Sequence, residues 1–388
     1  FRWFCSDCVK SNVFEYSKDK DLKDKITINA EYQRVMKPKT IFSLGLLSIH
    51  KTKKESKFSL ELNGLEEGKT YWYRVGNLEN NSFSDVYSFT IPPKSNVLTF
   101  LLLADSQGMV KSDYDTFISV FEGALRNIKN VDFVSHLGDF VDDGNNEDYW
   151  NYILNSDVWK RYPIIPLAGN HEARVKKAIL DNGGKNSILT HFNLGDIPKQ
   201  DTSSGAYYSF SYKDTTFVVL NTNDDDGSGK LSKEQYDWAI STAQNARTKW
   251  KILFTHKPPY SNGPHCDDLD VKNIKIQIEE ICSQGGFDLA LSGHDHVYIR
   301  TPILDKSKTV KHDTHIIKYQ GLEYETAIDP NGTLFIVPGT SGVKNYRQDL
   351  STIIPTNLLS AAKFPIYSKI VIDGNRLYFT AYKYDVET

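Results

Sequence analysis

The sequence predicts a two-part chain: a small all-β sandwich over residues 1–94, then an α/β domain over 95–388 in which helices flank layered sheets. Three observations predict it. Residues before 92 alternate apolar and polar side chains between turn dipeptides, with no helical period. Pro92-Pro93-Lys94-Ser95-Asn96 then stops any strand ladder and buries little. Beyond it, short apolar runs alternate with stretches of helical spacing.

At 388 residues the chain exceeds most single cores. Charged residues make up 24% with a net charge of −3, so there is no electrostatic case for nucleic acid or a membrane surface. Small anions remain open, because a bound metal supplies its own local charge. No apolar run approaches the roughly eighteen residues of a bilayer span. The chain begins at Phe1, so a signal peptide is not visible in it.

In the first part, Phe58-Ser59-Leu60-Glu61-Leu62 alternates strictly and Asn63-Gly64 is a turn pair. Thr70-Tyr71-Trp72-Tyr73-Arg74-Val75 is rich in aromatic and β-branched residues. The basic stretch Lys51 to Lys57 reads as a solvated hairpin rather than a binding patch. In the second part, Asp113 to Ile128, Trp150 to Trp159 and Leu231 to Ala246 are expected helices, the last opened by a capping box from Ser232 to Gln235. Further strands are expected at Thr216 to Asn221, Leu334 to Val337 and Lys369 to Ile372.

Five apolar runs each end in metal-binding residue types. They are Leu101 to Asp105, Val134 to Asp139, Ile164 to His171, Ile252 to His256 and Leu289 to His296. A strand buried on both faces reads as a continuous apolar run, and ligands of α/β sheets gather beyond the carboxyl ends of the strands. Five such ends would converge on one site. Carboxylate, amide oxygen and imidazole together suit Fe, Mn, Zn or Mg, without the thiolates of a structural zinc site. Asp at a strand end is common as a turn former and a lone His is commonly a core residue, but six such residues taken jointly are not explained that way. His136, three residues before Asp139, reads as structural or as a supporting residue. Asp224, Asp226, Ser228 and Gly229 mimic the start of a calcium loop, yet Gln235 stands where a bidentate Glu is needed, so an acidic loop before a capped helix is expected instead.

Of the four cysteines, Cys266 and Cys282 would close a loop of about fifteen residues in a disulfide contributing on the order of 3 kcal/mol. Cys5-x-x-Cys8 is a disulfide or a redox or metal pair; the reading favours two disulfides over free thiols. Sequons at Asn80-Asn81-Ser82 and Asn331-Gly332-Thr333 point the same way, to a secreted, endomembrane or periplasmic glycoprotein.

Asp105-Ser106-Gln107, Gly138-Asp139-Phe140-Val141-Asp142, Gly169-Asn170-His171-Glu172, His256 and Gly293-His294-Asp295-His296-Val297-Tyr298-Ile299-Arg300 resemble, in order, the signature of the calcineurin-like metallophosphoesterases. The last is similar to the form typical of purple acid phosphatases. Tyr71-Trp72-Tyr73-Arg74-Val75-Gly76 resembles the end of their amino-terminal domain, while His191-Phe192-Asn193-Leu194 and Tyr207-Tyr208-Ser209-Phe210 resemble parts of their catalytic domain. The resemblance implies an αββα-type metallophosphoesterase sandwich preceded by a fibronectin type III-like β-sandwich. It implies two divalent or trivalent ions (Fe, Zn or Mn), with Asp139 shared, Asp105 and His296 completing one site, and Asn170, His256 and His294 the other. A hydroxide between ions roughly 3.5 to 4 Å apart would attack a phosphoester in line. His171 is the expected acid for the leaving group and His265 a second substrate-facing histidine. Arg300 contacts phosphate or forms a structural ion pair.

The chain departs from the pattern at two positions. Purple acid phosphatases carry Tyr where this chain has Asp142, and many other metallophosphoesterases carry His where it has Gln107. Gln107, Asp142 or water would fill the remaining ligand positions, and a colourless or weakly coloured protein is expected. The expected function is a dinuclear, acid phosphatase-like hydrolase of small phosphomonoesters. The alternatives are a phosphodiesterase or nucleotidase on the same core, or a non-catalytic adhesion or binding protein that uses the β-sandwich.

Overall fold

Strand Leu98–Leu103 shows how the sequence builds the large domain. Successive side chains on a strand point to opposite faces. Leu98, Phe100 and Leu102 therefore enter a core between two sheets, while Leu101 and Leu103 pack under helices Lys111–Asn127 and Glu147–Leu154. Strands Thr215–Val219 and Trp250–Thr255 repeat the device from the other side. Phe217, Val219, Ile252 and Phe254 join the inter-sheet core, whereas Val218 and Leu253 face helices Lys233–Asn245 and Leu269–Gly285. The result is four layers, helix, sheet, sheet, helix. The computed structural model describes residues 1–5, 11–44, 47–173, 187–194, 205–224, 228–349, 355, 358–360 and 363–385.

The first sheet runs in the order Ile164–Pro166, Phe133–His136, Leu98–Leu103, Ile366–Asp373, Arg376–Lys383. Its first three strands are mutually parallel. The second runs Tyr208–Tyr212, Thr215–Val219, Trp250–Thr255, Leu289–Ser292, Thr333–Pro338, Tyr298–Asp305, Lys308–Thr309. Four consecutive members, from Thr215–Val219 to Thr333–Pro338, are parallel. The amino-terminal part pairs Val13–Ser17, Ile26–Asn29 and Thr70–Asn77 in one sheet and Arg2–Cys5, Glu31–Leu44 and Leu47–Ser59 in another. Phe14, Leu60 and Tyr73 fill the core between them, with Trp3, Val75 and Phe89 packed against it.

This is the expected β-sandwich followed by an αββα domain, and residues 92–96 carry neither helix nor strand. Several details differ. Trp150 to Trp159 is not one helix; it breaks after Leu154, and Ser156 caps a short 3₁₀ turn at Asp157–Lys160. Gln235 makes only half a capping box: Ser232 Oγ accepts its N–H, but its amide reaches back to Asn221 and Asp224. Asp224 is thereby a loop brace, accepting from Ser232 and Gln235; Asp226 lies outside the described residues. Lys51–Lys57 lies in a hairpin as expected, yet Lys57 is buried rather than solvated.

The Cys266–Cys282 disulfide does not form: Cys282 is a buried thiol on the last turns of helix Leu269–Gly285 and Cys266 precedes its first. At about 1.5 Å of rise per residue the helix holds them about 20 Å apart, far beyond disulfide reach. The Cys5–Cys8 pairing involves Cys8, outside the described residues.

Candidate metal centre

Parallel strands share a direction, so their carboxyl ends lie along one edge. Asp105, Asp139 and Asn170 follow three strands of the first sheet, and His256 and His294 to His296 follow two of the second. The two edges meet. Asp139 Oδ2 lies 3.3 Å from His256 Nε2 and accepts from Gln107 Nε2 at 3.2 Å. On one side of it, Gln107 Nε2 is 3.1 Å from His296 Nε2, which is 3.7 Å from Asp105 Oδ1. On the other, Asn170 Oδ1 is 3.0 Å from both His256 Nε2 and His294 Nδ1. Donor atoms of Asp139, His256 and His294 all lie within 4.8 Å of one another. Asp139 thus stands between two nests of donors.

Four of these residues have left-handed backbones: Asp105 at φ 53°, Asp139 at 53°, His294 at 77° and His296 at 52°. Such conformations cost energy in non-glycine residues and concentrate at functional sites. Gly169 permits the closest approach, since a Cβ there would lie 2.0 Å from Asp139 Oδ1.

The ring orientations suit cation binding. His256 Nδ1–H donates to the Leu137 carbonyl at 2.8 Å and His296 Nδ1–H to that of Lys344 at 2.5 Å, leaving each Nε2 to face the cluster. Burial pushes the Asp105 carboxyl well up. Burial alone would raise Asp139 too, but the adjacent His256 holds it far below the usual range, and Asp139 in turn lifts His256 to about 9 against the effect of burial. The centre therefore calls for positive charge. Asp105 Oδ2 and Gln107 Oε1, both buried, have no hydrogen-bond partner among the described residues. Buried oxygens are rarely left so, and bound cations would satisfy them. The residues fit bound metal.

The remaining expected residues divide. The His171 backbone N–H donates to Asp139 Oδ1 at 3.0 Å, its ring Nδ1–H donates to the Asp142 carbonyl, and its Nε2 stands 3.7 Å from Asp139 Oδ2. The His265 ring lies 4.6 Å from that of His294 and pairs with Asp268 at 3.0 Å. Gln107 joins the cluster. Asp142 does not: its carboxylate pairs with Lys344. Arg300 sits on the strand leading away, its backbone opposite Ile336, and takes no part in the contacts above. His136 is a core residue stacked 3.7 Å from Phe140, bonded to Ser106 and, because it is buried, depressed to about 3.

Three supporting residues were not singled out from the sequence. Glu172 accepts the backbone N–H groups of Asp139, Val141 and Gly169, and burial, then the charge of Asp139, push it up to about 8. Asp295 accepts from the His265 backbone at 3.0 Å. Tyr346 stacks on His296 at 4.2 Å. Only their place beside the motifs could have flagged the first two; nothing local flags Tyr346. Asp313–Tyr319 and Leu322–Ile328 form a two-stranded ribbon. Tyr319 reaches Asp373, at the opposite end of the first sheet from the site.

The class is therefore set by fold and site together. The chain belongs to the calcineurin-like phosphoesterase family, whose profile matches residues 98–298, and residues 1–91 match the purple acid phosphatase N-terminal domain. It is similar to purple acid phosphatase 15 of Arabidopsis thaliana, 22% identical over 73% of this chain and 53% of that one. It is also similar to the Arabidopsis thaliana protein named "Probable inactive purple acid phosphatase 24", 21% identical over 76% of this chain and 50% of that one. The chain thus spans about half the length of these relatives. Purple acid phosphatase PPD1 from yellow lupin (Lupinus luteus) shares the fold, with a TM-score of 0.74 at 16% identity over 98% of this chain and 69% of that one.

Proposed function

We propose that the chain is a dinuclear metal-dependent hydrolase of small phosphomonoesters, an acid phosphatase in type. The carrying observation is the Asp139 carboxylate between two nests of nitrogen and oxygen donors, with Asp105 Oδ2 buried and unpartnered beside it. Asp105, Gln107, His296 and Asp139 would hold one ion, and Asp139, Asn170, His256 and His294 the other. Bound there, the ions supply Lewis-acid charge for a phosphoryl group and lower the pKa of water.

His171 supplies the proton for the leaving oxygen. Its Nδ1–H is committed to the Asp142 carbonyl, so Nε2 carries a proton only when the ring is cationic. His265, at the rim beside His294, orients the ester; Arg300 has the structural role. The exposed sequon residues Asn80 and Asn331 support a secreted or endomembrane glycoprotein.

The test is hydrolysis of an aryl phosphate with and without chelator. Chelation should abolish turnover. Asp139→Asn should lose both metal and activity, while His171→Ala should keep metal and lose on the order of 10²-fold in kcat. Metal loss in His171→Ala would refute its role as a non-ligand acid. A second reading, phosphate binding without turnover, is favoured by the relative named inactive. Metal-loaded protein that binds phosphate but hydrolyses no ester would establish it.

A further inference from the structure

We propose that Lys344 is a specificity-determining residue that favours dianionic phosphomonoesters over monoanionic diesters; this rests on the site being a phosphoester site. Strand Thr333–Pro338 runs parallel to Leu289–Ser292, so the loop after it reaches the same edge as the metal-binding loops. That loop is fastened to the centre. Thr340 Oγ1 donates to the Asp105 carbonyl at 2.7 Å and Ser341 N–H to that of Ala104 at 2.7 Å. The Lys344 carbonyl accepts the His296 Nδ1–H, and the Tyr346 ring lies on the His296 ring.

With its backbone fixed, Lys344 extends its ammonium to the Asp142 carboxylate, and the two side chains are 26% and 23% exposed, a pair at the open rim. Asp142 Oδ1 is 3.9 Å from His171 Nδ1, so the ammonium stands beside the residue that faces the leaving oxygen. The neighbouring Lys257 is buried against Asp270 at 2.5 Å, deeper than the rim. Lysine is a point charge on a rotatable stem, so it can swing from Asp142 to a phosphoryl oxygen without moving the loop. Asp142 is its resting counterion. A cation at this place stabilises the second negative charge of a monoester, which a diester lacks.

The experiment compares kcat/KM for para-nitrophenyl phosphate and bis(para-nitrophenyl) phosphate in the wild type, Lys344→Met and Lys344→Arg, with metal content determined for each. Lys344→Met should lower the monoester-to-diester ratio about ten-fold, chiefly through KM of the monoester, at unchanged metal content, and Lys344→Arg should restore most of it. A ratio unchanged within two-fold, an equal loss on both esters, or loss of metal would overturn the proposal. Calorimetric binding of inorganic phosphate and dimethyl phosphate to metal-loaded protein reads the same selectivity without turnover. Weaker phosphate binding in Lys344→Met by a protein that hydrolyses neither ester would uphold Lys344 and reject only the hydrolase reading.

Discussion

Glu172 shows how much of the site depends on a residue that touches no substrate. Its carboxyl gathers three backbone N–H groups from the two loops carrying Asp139 and Asn170, and so fixes their spacing. A Gln side chain of the same shape turns an NH₂ group toward one of those donors. Glu172→Gln should therefore cost about 2 kcal/mol and lower Tm by about 5 °C, with weaker metal binding; calorimetry and a metal titration check both. An unchanged Tm would show that the three bonds are dispensable. The residues that meet at the centre were legible in the sequence because Asp, Asn and His after apolar runs are chemically distinctive. Glu172, Tyr346 and Lys344 were not, because each acts through a contact made only by the folded chain. The positive φ angles at Asp105, Asp139, His294 and His296 were equally hidden, since the sequence shows no glycine there.

At the scale of elements, the hairpin Glu31–Leu44 with Leu47–Ser59 fastens the amino-terminal sandwich to helix Glu147–Leu154. Buried Lys37 pairs with Glu147 at 2.5 Å and with Glu55 at 3.3 Å, while Glu147 also meets His191 at 3.2 Å. Burial opposes the charge on Glu147, but His191 and Lys37 hold its carboxyl below the usual range; burial holds His191 low despite Glu147. Both shifts are downward, so the stability they contribute is present at neutral pH and lost as pH falls through the folded-state values. Tm should decline between pH 7 and 4, and Glu147→Gln should cost about 2–4 kcal/mol at pH 7 while flattening that decline. Parallel pH profiles for wild type and variant would contradict this. The parallel strands of the two large sheets were legible, because doubly buried runs are continuous, but helix Leu269–Gly285 was not. The stripe Val271, Ile274, Ile278, Ile281 has helical spacing, yet all four are β-branched and read locally as strand. Its length is also what separates the two cysteines that spacing alone had paired.

For the whole molecule, the order of five strand ends was enough to anticipate a single centre, because parallel strands leave their carboxyl ends no other edge. A sixth end, after Thr333–Pro338, was invisible: its strand was expected, but Gly-Thr-Ser follows it instead of a ligand type. Side chains from Asp105 to His296 thus meet because two sheets, packed through Phe100, Phe217 and Phe254, bring their edges together. On the proposed function, this meeting point holds two cations around Asp139. Elemental analysis of the purified protein after loading with Zn, Mn or Fe and desalting tests it most directly, with Asp139→Asn measured in parallel. About two ions per wild-type chain and clearly fewer in the variant is the expected result; no retained metal, or full retention in Asp139→Asn, would contradict it.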